Sequence, residues 1–107
     1  MTSEATIGVL LADLHFPESR SLKEKRGPLL SLRDVCRRRF HVSFSEVGLQ
    51  NLWQRARVLF VLGASSPLQA GEQLDELDRY LHAQAFEVER VVLKTVDPVG
   101  ALWDFDA

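Results

Sequence analysis

Eight of the 13 Lys and Arg residues of this 107-residue chain fall between Arg20 and Arg39. Lys23, Lys25 and Arg26 stand near the start of that segment, and Arg37, Arg38 and Arg39 close it. Ammonium and guanidinium groups gathered this way can neutralise phosphates, with an affinity that falls steeply as salt rises. The formal net charge is only −2, so the positive field is local. A local field attracts anions whatever the total charge. The same pattern also describes an ordinary solvated helix face, paired with the acidic residues Glu72, Asp75, Glu76 and Asp78 of a later segment.

Other chemistries find less support. Asp13 and His15, two apart, share one face of a strand and make an acid–base pair with no nucleophile or phosphate loop to join. His15, His41 and His82 occur singly, without a Cys pair or an H-x-x-x-H spacing, so no metal site is expected. Cys36 falls on an apolar helical stripe, where cysteine behaves as a small hydrophobe. No glycine-rich phosphate loop is present, and no cofactor is expected. The residues point to a non-enzymatic protein. Trp53, among Glu46, Gln50, Gln54 and Arg55, is either an interface anchor or a core-edge aromatic.

The elements that position these groups follow from periodicity. Ile7 to Phe16 alternates with apolar residues on both faces, which marks a central strand. Ser21 with Glu24 matches a capping box, each side chain taking the other's backbone N–H. Leu22, Leu29, Leu32, Cys36 and Phe40 then trace a helix, which Gly27 and Pro28 are expected to kink. Phe40 to Glu46 alternates as a second strand and Arg55 to Ser65 is a third. Ser66 and Pro67 start a second helix with Ala70, Leu74, Leu77 and Leu81 inward. Phe86 to Val96 is the last strand.

The order β-α-β-β-α-β is that of a ferredoxin-like α+β sandwich: a four-stranded antiparallel sheet, strands 1 and 3 central, two helices on one face. Residues 1–96 form one domain, and 97–107 a tail. Helices on one face cannot cover both Val58, Phe60 and Leu62 and the alternate Leu59 and Val61. A homodimer or higher oligomer is expected to cover the second set, with Trp53, Leu59, Val61, Trp103 and Phe105 as interface residues. Packing of the tail is the alternative cover. No apolar run approaches bilayer length, the N-terminus has no signal-peptide pattern, and one cysteine fits a reducing compartment, so a cytoplasmic location is expected.

The motifs Ser21-Leu22-Lys23-Glu24-Lys25-Arg26, Arg39-Phe40-His41-Val42-Ser43, Glu46-Val47 and Leu52-Trp53-Gln54-Arg55-Ala56 resemble the YlxP-like family of uncharacterised bacterial proteins. The likeness runs from about Ile7 to Leu93 and implies a ferredoxin-like fold. Members are typically encoded beside translation initiation and ribosome-maturation factors, which implies ribosomal RNA or ribosomal particles as partners. It carries over no catalytic residue. The third strand, Arg57-Val58-Leu59-Phe60-Val61-Leu62-Gly63, lacks the aromatics of RRM-type base stacking. RNA contact is therefore expected along the first helix and the adjoining loop, through Lys23, Lys25, Arg26, Arg37, Arg38, Arg39 and Arg55. The competing expectation is a protein–protein adaptor with no nucleic-acid role.

Overall fold

Four antiparallel strands in the order β2-β3-β1-β4 carry two long helices on one face. The computed structural model describes residues 5–102. The elements are β1 (Thr6–His15), α1 (Leu22–Phe40), β2 (Ser43–Glu46), β3 (Arg55–Ala64), α2 (Pro67–His82), β4 (Glu87–Val96) and a short α3 (Pro98–Leu102). β1 pairs with both β3 and β4, so the two strands with the longest apolar alternation occupy the centre. This is the α+β, ferredoxin-like arrangement expected from the element order. Trp103 and Phe105 lie outside the described residues.

Both helices start the same way. Ser21 Oγ accepts the Glu24 N–H at 3.1 Å, and Ser66 Oγ accepts the Gln69 N–H at 3.1 Å. The return bond is displaced by one residue from the expected capping box. Glu24 Oε1 takes the N–H of Arg20 rather than of Ser21, and Gln69 Oε1 takes that of Ser65. α1 then runs unbroken through Pro28. Gly27, Pro28 and Glu24 all face outward, so water can serve the carbonyl that proline leaves without a helical partner.

The second strand is shorter than the alternation from Phe40 implied. Phe40 is the last residue of α1, and His41 reverses the chain with φ 55° before β2 begins at Ser43. The Phe40 ring packs against Tyr80 of α2 at 5.4 Å between centroids, which favours the extra helical turn.

The core lies between the sheet and the helices. Leu10 and Leu14 of β1, Val58 and Phe60 of β3, and Leu77 and Leu81 of α2 are fully enclosed. Gly8 lets α2 approach: a Cβ there would sit 2.8 Å from Leu62 Cδ1 and 3.3 Å from Leu74 Cδ1. Cys36 is buried here too, and loss of hydration pushes its thiol up to about 12, with Arg39 opposing weakly. It is a packing residue with no thiolate at neutral pH.

One buried position is charged. Lys25 joins Leu29, Leu32 and Cys36 on the inward stripe of α1 and is only 3% exposed. Its Nζ donates to the carbonyls of Arg55 (2.9 Å), Leu49 (3.2 Å) and Gln50 (3.4 Å). Three protons thus meet three carbonyls, while Glu46 Oε2 at 3.1 Å supplies charge without receiving a hydrogen bond. The ammonium ties the first helix to the whole β2–β3 connection.

That connection contains Gly48 at φ 85° and Leu49 at φ 59°, which turn its carbonyls toward α1. Gln54 closes its far end, donating to the carbonyls of Pro17 and Ser19, while its own carbonyl accepts from the Phe16 N–H. Lys25→Met should lower stability by about 2–4 kcal/mol, because three carbonyls and one carboxylate lose their partner. Urea unfolding should show a lower midpoint, and adding Glu46→Gln should recover part of it.

Candidate functional site

At about 100° per residue, the basic residues of α1 divide among four directions. Lys25 points inward. Arg26, Arg33 and Arg37 take the flank that faces β2, lining a groove of about 390 Å³ with Leu22, Leu30 and Phe44. Lys23 and Arg38 face outward. Arg39 takes the opposite flank, its guanidinium 5.3 Å from the ring centres of both Phe40 and Tyr80.

The cations expected to act together are therefore partly separated. Lys25 leaves the set because it is buried and saturated with carbonyls. Arg55 leaves it because its side chain lies on the helix-free face of the sheet, paired with Glu89. Arg39 is committed to cation–π contacts with two aromatic rings, inside the cleft of about 550 Å³ between the C-terminal ends of α1 and α2. Lys23, Arg26, Arg37 and Arg38 remain, and none of them has an ion-pair partner among the described residues. Arg33, which sequence reasoning did not select, joins the flank seven residues after Arg26 while also meeting Asp34 at 2.9 Å. The spacing 26, 33, 37 was the signal available for it.

Trp53 is not a core-edge residue. It is 57% exposed, beside Leu52 at 45%, on the connection pinned by Lys25 and Gln54. Its backbone is held while its indole faces solvent.

The helix-free face of the sheet has two zones. Leu11 lies opposite Leu59 on one side and Val92 on the other, and Val9 lies opposite Val61, giving a half-exposed apolar row. Toward the other end the same face is ionic. Arg57 donates to both Asp13 oxygens at 2.7 and 3.1 Å, and Arg90 stands 3.4 Å from Asp13 Oδ2. His15 Nδ1 lies 2.7 Å from Glu87. Asp13 and His15 share a face, as their spacing required, but each is engaged by a different partner. No group of three His, Cys, Asp or Glu side chains converges on a metal-sized site among the described residues. No helix among them is long and apolar enough to cross a membrane.

The Arg57 guanidinium holds the Asp13 carboxyl below its ordinary value of 3.8, against a smaller opposing effect of burial. The unfolded chain therefore takes up this proton first as pH falls. The pairing contributes fully above the ordinary carboxylate pKa and is lost as pH drops through the depressed one. Asp13→Asn should flatten the stability–pH curve below about pH 4 and leave its neutral limb parallel to the native one, as followed by urea midpoints across pH.

The chain is similar to the uncharacterized protein YlxP of Bacillus subtilis (strain 168), at 32% identity over 78 residues, or 73% of this chain and 84% of that protein. Residues 7–95 match the family described as "Protein of unknown function (DUF503)". That span runs from the second residue of β1 to the next-to-last of β4, with both long helices between, and the chain belongs to this family.

Proposed function

We propose that the chain binds structured RNA, as on ribosomal particles, by laying the exposed cations of α1 along phosphates. The observation that carries the reading is the set Lys23, Arg26, Arg37 and Arg38, exposed and without carboxylate partners among the described residues. From first to last they span about 22 Å of one helix. A protein of net charge −2 that leaves this many cations unpaired on one element concentrates its positive potential there. The buried Lys25 and the second helix keep that element rigid, so little ordering entropy opposes binding.

Binding of ribosomal RNA fragments should weaken linearly in log salt with a slope of about −3, as expected for four phosphate contacts. Arg37→Glu with Arg38→Glu should reduce affinity at least tenfold, roughly, at 0.1 M salt and shallow the slope, with the urea midpoint little changed. Retention equal to that of the native chain would overturn the reading.

The helix-free sheet face supports a second element, association with another copy of the chain. Its apolar row is continuous across β3, β1 and β4, and Val92 is 46% exposed. Arg55, Arg57 and His15 beside it meet Glu89, Asp13 and Glu87, whereas Lys94, opposite Val9, has no ion-pair partner among the described residues and would sit at the rim of such an interface. Light scattering should give at least a dimer mass for the native chain and a monomer mass for Val61→Glu with Val92→Glu. A native monomer at every concentration would remove this element and leave the RNA reading intact.

A further inference from the structure

The edge strand β2 and the arginine flank of α1 form one recess with two kinds of recognition. Val47 N–H donates to the Arg57 carbonyl at 2.7 Å, and Ser45 and Ser43 lie opposite Leu59 and Val61. By the alternation of an antiparallel ladder, residues 43, 45 and 47 spend their backbone groups on β3, and those of Phe44 and Glu46 point away from the sheet. Gln50 Nε2 donates to the Glu46 carbonyl at 3.2 Å. The N–H and C=O of Phe44 and the N–H of Glu46 remain along the open edge, where a further strand would sit.

Above this edge stands the α1 flank. Arg26, Arg33 and Arg37 reach over it, and Leu22, Leu30 and Phe44 provide apolar surface between them. Leu22 is 39% and Leu30 41% exposed. A segment lying beside β2 would alternate its side chains, one set toward α1 and the other toward the helix-free face. The α1-facing set would meet three guanidiniums, Arg33 shared with Asp34, over a floor of Leu22, Leu30 and Phe44 that ends at Glu46 and Gln50, where the Glu46 carboxylate is already neutralised by Lys25.

We infer that this recess is a docking site for an extended acidic peptide segment of a partner protein, which adds as a short strand beside β2. Main-chain bonds to the edge give the register, and carboxylates paired with Arg26, Arg33 and Arg37 give the selectivity. Charge decides the occupant. Pairing of two β2 edges from two copies would bring two arginine flanks face to face, and like charges so placed oppose that assembly. RNA can meet the arginines but has no peptide backbone to continue the ladder. The site shares Arg26 and Arg37 with the RNA reading but stands on the strand edge, which that reading does not use.

The probe is a labelled hexapeptide of alternating glutamate and valine, measured against the full chain by fluorescence anisotropy, with the lysine–valine counterpart as control. The acidic peptide should bind saturably and the basic one should not. Arg26→Glu with Arg33→Glu should weaken binding at least tenfold, roughly, with the urea midpoint little changed. N-methylation of the peptide supplies the test that needs no protein variant. Methyl groups on alternate residues should cost at least about tenfold in affinity in one phase and less than about twofold in the other. Equal effects in both phases, equal binding of the basic peptide, or no saturation would each overturn the inference. RNA retained by a chain that ignores the acidic peptide overturns the groove alone; peptide bound by a chain that ignores RNA overturns the RNA reading alone.

Discussion

A single ammonium group organises the front half of this protein. Lys25 reaches from the inward side of α1 to two carbonyls of the β2–β3 connection and to that of Arg55, the first residue of β3. Burying a lone cation is costly, and here the cost is met by saturating all its protons and adding the Glu46 charge. The consequence is positional. α1 is locked against the sheet edge that its other cations overhang, and the connection bearing Trp53 cannot fold away to hide its indole. Removing apolar packing elsewhere would loosen the core, but removing this contact would separate the groups that make up the candidate surface.

The distribution of charge follows from that lock. With Lys25 turned inward, helical periodicity sends Arg26, Arg33 and Arg37 to one flank, Lys23 and Arg38 outward, and Arg39 to Tyr80. A basic segment that is dense in one dimension becomes, in three, a buried pin, a flank, a ridge and a stacked ring contact. The sheet divides its charge differently. Its ionic end is internally matched around Asp13, whereas the α1 surface is left largely unmatched. A surface matched within itself gains little from an external ion, and an unmatched one retains its full field.

Much of the fold was legible in the sequence because its signals are local. The alternation of Ile7 to Phe16, the Ser66-Pro67 start and the apolar spacing of α2 each specify an element within one window. The start of β2 was not legible, since Phe40, Val42 and Phe44 satisfy a strand period and Phe40 also completes the α1 stripe. Contact with Tyr80, 40 residues away, decided between them. The role of Lys25 was hidden for a related reason. Its acceptors are main-chain carbonyls 24 to 30 residues distant, which leave no trace in side-chain type. The one available clue was its place in the series 25, 29, 32, 36, four residues before a buried leucine.

The position of β1 bears on how the chain is made. It is the earliest strand in the sequence, apolar on both sides, and it sits between β3 and β4. During vectorial synthesis β3 can pair with it once residues 55–64 are available, but its other edge stays open until residues 87–96 have emerged. Of the two central strands, β1 is thus translated before β3 and completed after it. For that interval the nascent domain carries an unpaired hydrophobic edge, the condition in which a chain most depends on fast release or on a chaperone.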